Sequence, residues 1–335
     1  MTIHAQAALK AKGPLVSWSF EEGPLGPFEL EIDVTHCGIC HSDVHLVDNN
    51  WGVSSYPLVP GHEVIGKVRQ MGTLVTGFEK GMRVGIGWQS GACLRCEWCI
   101  SGEDNICPDS QATCIGRHGG FAERIRSDSR FAFPIPSRLK SENAAPLLCG
   151  GATVYSPLRR YRKTPNLKVG VIGIGGLGHL ALQFAAEMGF EVTAFSTTAN
   201  KEPEARAFGA RHFVVTSEPG AIGKAAGRFD IILNTVHANL DWQGYLEALR
   251  PNGRLVILGA PQEDLRIAGG ALIGSQKGIS GSAIGSRSVI SEMLEFAARH
   301  GIKAKTETMP MSRASEALDR VRSGKARYRM VLVKS

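Results

Sequence analysis

The sequence lacks both a membrane-spanning apolar run and a secretory signal. No apolar run approaches the ~20 residues that a membrane-spanning helix needs. The opening residues, MTIHAQAALKAKG, have no apolar central region of the kind that a secretory signal carries. Internal repeats and low-complexity linkers are absent as well. We therefore expect a cytoplasmic protein with no membrane partner.

The eight cysteines call for an explanation other than disulfide bonds. A chain without an export signal is expected to stay in the cytosol, where thiols are kept reduced. The spacing of the cysteines must then decide between metal binding and scattered core positions.

The formal net charge of +7 over 335 residues is not concentrated in one region. The densest basic group comprises Arg159, Arg160, Arg162 and Lys163, and we interpret it as a solvated loop or helix end. We expect no nucleic-acid partner, because the phosphates of a nucleotide cofactor are a more economical acidic partner. At roughly 100 to 200 residues per domain, the length predicts two domains.

Two hydrophobic patterns follow each other along the chain. The first 150 residues contain short apolar segments broken by glycine and proline, such as FELEIDVTH and VIGKVRQMG, which predict a partly closed antiparallel β domain. From about residue 165, apolar runs such as LKVGVIGI and EVTAFS alternate with helical stretches. This alternation predicts a parallel sheet with helices on both faces. After Gly285, a helix and the final strand RMVLV can return to the first domain.

The segment VIGIGGLGHLALQF contains Gly173, Gly175 and Gly178 between a predicted strand and a predicted helix. The first glycine permits a tight turn, the second lets a pyrophosphate approach the backbone, and the third lets helix and strand pack closely. The helix N-terminus then faces the phosphates. The pattern in this context predicts a dinucleotide-binding domain.

The next strand predicts which dinucleotide binds. An NAD site usually has an acidic residue about 20 positions after the glycine turn, which accepts a hydrogen bond from the ribose 2′-hydroxyl. Here Phe195 is followed by STTANK, in which Ser196 and Thr197 can donate hydrogen bonds and Lys201 or the later Arg206 can supply positive charge. We therefore predict NADP(H) rather than NAD(H). The alternative is that these residues only cap the next helix.

The loop CLRCEWCISGEDNIC carries Cys93, Cys96, Cys99 and Cys107. Two-residue gaps let successive thiolates turn toward one ion, and four of them close a tetrahedral zinc site that has no position for substrate. We predict a structural zinc, with an iron–sulfur cluster as the alternative.

Four cysteines remain, at positions 37, 40, 114 and 149. A catalytic zinc needs three protein ligands and an open position, and two cysteines with one histidine are a known set. The segment PGHEVIG offers His62, and PLLCGGATVY offers Cys149. Ligands from such separated segments would place this metal at a cleft between the two domains.

Several motifs together resemble a known family. CGICHSDVH, PLVPGHEVIGKV, the four-cysteine loop, GGFAE, APLLCGGATVYSPL, VGVIGIGGLGHLA and GSAIGS occur in the order of the zinc-dependent medium-chain alcohol dehydrogenases, in the branch that includes the cinnamyl alcohol dehydrogenases. The resemblance runs nearly end to end. It implies a GroES-like, mainly antiparallel β catalytic domain over 1–151, a Rossmann-type doubly wound α/β domain that binds NADP over 152–286, and a C-terminal segment, 287–335, that returns to the catalytic domain.

The resemblance also implies roles for individual residues. Cys40, His62 and Cys149 would hold the catalytic zinc, and Glu63 would be an alternate ligand. Asp43 would orient the liganding histidine, Ser42 would contact the substrate oxygen, His45 would pass the proton to solvent, and Cys37 would be a buried neighbour. Cofactor contacts are implied at His41, Thr153, Gly173, Gly175, Gly176, Leu177, Gly178, Ser196, Thr197, Lys201, Thr235, Gly259, Ser282 and Ile284.

Elementary chemistry agrees with these roles. Zinc acts as a Lewis acid on an alcohol or carbonyl oxygen. Alcohol oxidation releases a proton in a dry site, and Ser42 and His45, three positions apart on a helical turn, can form its path. The alternatives are a helix cap for Ser42 and a surface position for His45.

The resemblance is weakest around the substrate. PDSQATCIGRHGGFAE is shorter than the corresponding segment of plant cinnamyl alcohol dehydrogenases, and Ala283 stands where those enzymes often have phenylalanine. Both differences argue against a cinnamyl substrate. Trp51 and Trp88 are candidate pocket aromatics that core packing explains equally well. Cys114 receives no role.

We predict an enzyme with two zinc ions per chain that interconverts primary alcohols and aldehydes with NADP(H), mainly by reducing aromatic or medium aliphatic aldehydes. The alternatives are an NAD-dependent polyol or secondary-alcohol dehydrogenase, a nucleic-acid-binding protein with a zinc finger, and a zinc-free quinone reductase. The resemblance implies a homodimer through the sheet edge near RLVILGA, with a tetramer as the alternative.

Overall fold

The computed structural model describes residues 2–162, 164, 166–261 and 263–334. They form two compact units, one made of residues 1–152 with 285–335 and the other of residues 153–284. Within the described ranges, no helix combines the length and the apolar character needed to cross a membrane.

The first unit is built mainly of strands. In its N-terminal part they are β1 (Thr2–Ala8), β2 (Leu15–Glu21), β3 (Glu29–Ile39), β4 (Glu63–Met71), β5 (Arg83–Ile86), β6 (Gln89–Gly91), β7 (Gln111–Ala112), β8 (Arg124–Asp128) and β9 (Ala132–Pro134). The helices are α1 (His41–Asp48), α2 (Glu97–Ile100), α3 (Ser141–Ala144) and α4 (Gly150–Tyr161), which continues into the second unit. Short 3₁₀ helices cover 104–106, 129–131 and 145–148.

The second unit alternates strands and helices. It contains β10 (Lys168–Ile172), α5 (Gly178–Glu187), β11 (Glu191–Ser196), α6 (Glu202–Ala207), β12 (His212–Val215), β13 (Phe229–Asn234), α7 (Trp242–Ala248), β14 (Leu249–Ile257), α8 (Gly269–Ile273) and β15 (Gly278–Gly281). The chain then adds α9 (Arg287–His300), β16 (Thr306–Pro310), α10 (Ala314–Arg322) and β17 (Arg329–Val333) to the first unit. Further 3₁₀ turns cover 199–201, 223–225 and 311–313.

The main sheet of the first unit has the order β16-β17-β3-β4-β5-β9, with β8 also paired to β3. All of its pairs are antiparallel except β16 with β17. Leu30, Ile32 and Val34 alternate along β3 and are fully buried, since every second residue of a strand points to the same face. In this register Gly38 lies opposite Glu63, and Ile39 lies opposite Met330. The ends of β3, β4 and β17 therefore meet beside the segment that begins α1.

The sheet of the second unit is parallel throughout, in the order β12-β11-β10-β13-β14-β15. Val169 and Val171 in the central strand β10 are fully buried, as expected where helices cover both faces. The strand order reverses between β10 and β13, and ligands of such sheets bind beyond the carboxyl ends of the strands at this point. The glycine turn follows β10 directly.

One detail departs from the simple alternation of apolar and helical stretches. The stretch YLEALRPNG reads as helical in that alternation, but α7 ends at Ala248, because Leu249 already pairs with Phe229 in the sheet. The sheet edge near RLVILGA is formed by β15, which pairs along the outer side of β14. A dimer contact through this edge would therefore use β15.

Candidate active site

Three separated segments bring the predicted ligands of the catalytic zinc together. Cys40 caps the N-terminus of α1 directly after β3, His62 precedes β4, and Cys149 directly follows a 3₁₀ turn. One ligand atom from each of Cys40, His62, Glu63 and Cys149 lies within 4.8 Å of the others, and all four residues are buried. The Sγ atoms of Cys40 and Cys149 are 3.9 Å apart.

This geometry fits a zinc ion. Thiolate–zinc bonds of ~2.3 Å in a tetrahedron require sulfur atoms about 3.8 Å apart. His62 Nδ1 lies 3.0 Å from Asp43 Oδ1 and donates to that carboxylate, so that in the neutral imidazole Nε2 is the acceptor. Among the described residues, this buried Nε2 has no hydrogen-bond partner. An unpaired buried acceptor costs about 1 to 3 kcal/mol, and a metal bound between Nε2 and the two sulfurs would remove that cost.

The two thiols titrate as a pair. The hydrogen bond from Cys149 holds the pKa of Cys40 well below the usual range of a thiol. The same bond to Cys40, together with burial, raises the pKa of Cys149 well above that range. One thiolate is thus stabilised here without a metal, and a divalent cation would favour the second.

Asp43 connects the two ligand segments. It is fully buried, and its Oδ2 accepts the backbone N–H of Cys40 at 2.8 Å. Its Oδ1 accepts the N–H of Gly61 at 2.9 Å and Nδ1 of His62 at 3.0 Å. One carboxylate therefore fixes the start of α1, the turn before β4 and the orientation of the imidazole. A carboxylate that accepts from a liganding histidine is a common support of zinc sites.

Glu63 faces the same cluster from β4. Its Oε1 pairs with Nη2 of Arg329, while Oε2 has no partner among the described residues. Burial raises the pKa of Glu63 to about 7, against the opposing effect of Arg329. A Cβ atom at Gly38 would lie 2.0 Å from Glu63 Oε2, so glycine at this position makes room for the carboxylate.

The predicted proton path is only partly visible in the geometry. Ser42 Oγ lies 3.6 Å from Cys40 Sγ, which places the hydroxyl beside the cluster. Nδ1 of His45 lies 3.0 Å from the side-chain amide nitrogen of Asn50, and the His45 ring centroid is 5.1 Å from that of Trp51. Transfer from Ser42 to His45 stays a prediction.

One of the two candidate pocket tryptophans contacts the imidazole of the cluster. The Trp88 ring meets His62 edge to face with centroids 5.0 Å apart, and Trp51 lies 6.0 Å from Trp88. Trp51 is 45% exposed, whereas Trp88 packs against the core of the unit. The sequence left open whether these rings line a pocket, and the contact with His62 favours that role for Trp88.

The sulfur atoms of the four-cysteine loop, Cys93, Cys96, Cys99 and Cys107, converge within 4.8 Å of one another. The sulfur separations are 3.9 Å for Cys93–Cys99, 3.8 Å for Cys96–Cys107 and 3.6 Å for Cys93–Cys107. They match the ~3.8 Å edge of a zinc tetrathiolate and leave room for one ion rather than a multi-iron cluster. Backbone N–H groups of Arg95 and Cys96 lower the pKa of Cys93 to about 6, which favours the thiolate that a metal needs.

The glycine turn has the shape that a pyrophosphate requires. Gly173 has φ +86°, which favours glycine. A Cβ atom at Gly178 would lie 1.9 Å from the carbonyl oxygen of Gly173, so the helix can approach the turn only with glycine there. A Cβ atom at Gly175 would meet nothing within 4 Å, which leaves that face open to a ligand. Gly176 and Leu177 complete the turn before α5.

The two candidate cations for a 2′-phosphate differ in their contacts. Nζ of Lys201 lies 3.4 Å from the carbonyl oxygen of Ile174, beside the glycine turn. Arg206 instead pairs with Glu202, four residues earlier, through Nη2 and Oε1 at 2.6 Å. Ser196 ends β11, and its Oγ accepts the N–H of Thr198, with the exposed Thr197 between them. Lys201 is therefore the better placed of the two cations.

The other predicted cofactor residues lie at varied places. Thr235 Oγ1 donates to the carbonyl oxygen of Ile172 at 2.7 Å, and a Cβ atom at Gly259 would lie 2.4 Å from Val236 O. The remaining positions are Thr153 within α4, Ser282 and Ile284 after β15, and His41 at the start of α1. Cofactor contact at these positions stays a prediction. Of the basic group, Arg159 and Arg160 lie at the end of α4 and Arg162 follows it, while Lys163 lies outside the described residues.

Comparisons with known proteins agree with this arrangement. The family model of the alcohol dehydrogenase GroES-like domain matches residues 26–137, and that of the zinc-binding dehydrogenases matches residues 176–299. The chain is 44% identical over 330 residues to aldehyde reductase AdhA of Synechocystis sp., covering 98% of each chain. The chain belongs to the zinc-binding alcohol dehydrogenase family.

Solved alcohol dehydrogenases share the whole fold. The cinnamyl alcohol dehydrogenase SbCAD4 of Sorghum bicolor matches with a TM-score of 0.94 and 37% identity, over 99% of this chain and 98% of that one. The Helicobacter pylori CAD complexed with NADP(H) matches with a TM-score of 0.91 and 29% identity, over the same shares. The predicted resemblance and the predicted fold class are thereby confirmed. As an alcohol dehydrogenase, the protein is an enzyme that interconverts small alcohols and aldehydes.

Three residues of this alcohol dehydrogenase were missed by the sequence analysis. Arg329 pairs with Glu63, and its signal was a single charge that begins the apolar strand RMVLV. Asn234 is fully buried, and its Nδ2 donates to the carbonyl oxygens of Val236 and Gly259, both at 3.0 Å. His179 follows the third glycine, and its Nδ1 lies 3.0 Å from the carbonyl oxygen of Gly175.

The four-cysteine loop of the alcohol dehydrogenase gives a prediction about stability. Replacing Cys107 by serine should reduce the zinc content by one ion per chain and lower the thermal midpoint by about 10 °C, because the loop loses the ion that closes it. Elemental analysis and calorimetry measure the two quantities. The exposed Ser101 of the same loop provides the control variant Ser101→Ala, which should change neither quantity. An unchanged zinc content in Cys107→Ser would contradict the assignment.

Proposed function

We propose that the protein is a zinc- and NADP(H)-dependent alcohol dehydrogenase that works mainly as an aldehyde reductase. The observation that carries this proposal is the buried set of Cys40, His62 and Cys149, with Nε2 of His62 unpartnered among the described residues. Two thiolates and one imidazole are a catalytic zinc set that leaves a position for substrate. The second zinc would be held by the four cysteines of the loop.

Zinc and NADPH, when bound, would supply the reactivity, because zinc polarises the substrate oxygen and NADPH provides the hydride. The side chains of the protein provide geometry and protons. Asp43 keeps His62 in the tautomer that directs Nε2 at the two sulfurs. The Ser42 hydroxyl lies beside Cys40 and would donate a proton to the oxygen of the aldehyde during reduction. His45 would return a proton to Ser42 from solvent. The Trp88 ring excludes water from one side of His62.

NADP(H) is favoured over NAD(H) by the residues at the end of β11. The strand ends in Ser196, where an NAD site usually has a carboxylate for the ribose. Lys201 lies against the glycine turn. The Helicobacter pylori relative was solved with NADP(H). A homodimer, with a tetramer as the alternative, and a cytoplasmic location remain predictions from the sequence.

A turnover panel tests the proposal. Aromatic and aliphatic aldehydes should be reduced with NADPH at a kcat/KM about 10- to 100-fold above that with NADH, the range that one or two charge-assisted hydrogen bonds supply. Sorbitol oxidation with NAD provides the opposing arm, since a polyol dehydrogenase would prefer it. A preference for sorbitol and NAD, or fewer than two zinc ions per chain, would overturn the proposal.

A further inference from the structure

Cys114 lies close to His62, whose imidazole would bind the proposed catalytic zinc. One ligand atom from each of Asp43, His62 and Cys114 lies within 4.8 Å of the others, and all three residues are fully buried. Cys114 is outside the set formed by Cys40, His62, Glu63 and Cys149, so it neighbours the Asp43–His62 pair without joining the predicted ligands. The mechanism above gives this thiol no task.

The chain holds Cys114 in place from both ends of its segment. Before it, the Thr113 backbone N–H donates to Trp88 O at 2.8 Å, and its hydroxyl donates to Gly87 O at 2.6 Å. After it, the Gly119 N–H donates to Val59 O at 2.8 Å. A Cβ atom at Gly119 would lie 2.7 Å from Cys114 Sγ, so the glycine lets the segment close onto the thiol.

The hydrogen bonding of Asp43 leaves capacity for a thiol. Oδ1 accepts two N–H groups, from Gly61 and His62, whereas Oδ2 accepts only the N–H of Cys40 among the described residues. A thiol is a weak donor and a weak acceptor, so its S–H can serve Asp43 or its sulfur can share the Nδ1–H of His62. Because the three ligand atoms lie within 4.8 Å of one another, either contact would restrain rotation of the imidazole.

We propose that Cys114 is a positioning residue for His62. The Cys114 thiol stabilises the Asp43–His62 pair and keeps Nε2 of His62 directed at Cys40 and Cys149. The proposal rests on the proposed function, in which these three residues bind zinc. It assigns the shortened segment after the four-cysteine loop to the support of the metal site rather than to the wall of a substrate pocket. Groups that orient a liganding histidine typically change metal affinity by about 10- to 100-fold when removed.

The rate of zinc release from the holoenzyme tests the proposal. A chelator that changes colour on binding zinc reports each phase of release, and the phase that disappears in Cys149→Ser belongs to the catalytic site. In Cys114→Ala this phase should be about tenfold faster, while the phase of the four-cysteine loop should not change. Cys114→Ser keeps a hydrogen-bonding group and should restore most of the slow release. The cobalt-substituted Cys114→Ala enzyme should also show a shifted absorption spectrum at this site.

Cys37→Ala is the matched control for packing. Cys37 is as fully buried as Cys114 and packs against Gly61 and Gly120, but it is not in the Asp43–His62 group. The inference is overturned if Cys114→Ala releases the catalytic zinc at the wild-type rate, or if Cys37→Ala accelerates release as much. If the wild-type protein shows no phase that Cys149→Ser removes, the proposed function itself fails.

Discussion

The variant Cys149→Ser is expected to lose catalysis by about a thousandfold or more and to contain one zinc ion per chain instead of two. The Lewis-acid effect of a metal on the substrate oxygen is worth several kcal/mol, and each 1.36 kcal/mol corresponds to a factor of ten. The serine hydroxyl does not replace the thiolate, so Cys40 and His62 would have to hold the ion with only the alternate ligand Glu63 beside them. Initial rates of aldehyde reduction and elemental analysis measure the two effects.

Binding of NADPH should survive this substitution. The glycine turn after β10 and the end of β11 lie in the second unit, which packs around a core of its own. The dissociation constant of NADPH, measured by quenching of protein fluorescence, is therefore expected to stay within about threefold of the wild-type value, less than one kcal/mol. Loss of both turnover and NADPH binding would indicate misfolding rather than the loss of a ligand.

Cys37→Ser provides the matched control for this prediction. Its thiol is fully buried only three residues before Cys40, and its Sγ lies 3.6 Å from the Gly38 carbonyl oxygen, but it is outside the ligand set. This variant should keep two zinc ions and most of the activity. Near-full turnover in a Cys149→Ser protein that has lost the metal would refute the mechanism.

The four-cysteine loop and the glycine turn were predictable from the sequence, because a local sequence pattern encodes each of them. Two residues separate each successive pair among Cys93, Cys96 and Cys99, and the glycine turn has its strand and helix on either side. The parallel sheet was also predictable, because strands buried on both faces are nearly uniform apolar runs, as in VGVI of β10.

Contacts between distant segments were less accessible. Arg329 reaches Glu63 only because β17 pairs with β3, and no local pattern specifies that pairing. The role of β15 as edge strand likewise depends on the sheet order. By contrast, the pairing of Arg206 with Glu202 could have been predicted from the spacing of four residues on a helix. That signal separates the two cations that the sequence analysis treated as equivalent.

The variant Lys201→Ala is expected to lower kcat/KM for NADPH by about 10- to 100-fold and to leave the value for NADH nearly unchanged, which removes most of the cofactor preference. Nζ of Lys201 lies 3.4 Å from Ile174 O beside the glycine turn, and in the proposed function it would contact the phosphate on the adenosine ribose of NADPH. NADH has no such phosphate, so the loss should fall on one cofactor only. Replacing Ser196 by aspartate as well should change the preference from NADPH to NADH. A carboxylate there repels the 2′-phosphate of NADPH and accepts a hydrogen bond from the ribose 2′-hydroxyl of NADH.

The matched control for Lys201 is Arg206→Ala. Arg206 also carries a positive charge near the end of β11, but Glu202 neutralises it through Nε–Oε1 and Nη2–Oε1 contacts of 2.9 and 2.6 Å. Its removal deletes an exposed ion pair, which is worth about 0 to 1 kcal/mol, and should change kcat/KM for NADPH by less than about fivefold. Initial rates with both cofactors at a fixed aldehyde concentration give the comparison. If the two substitutions reduce the use of NADPH equally, the phosphate does not select Lys201, and a general loss of positive charge explains the effect.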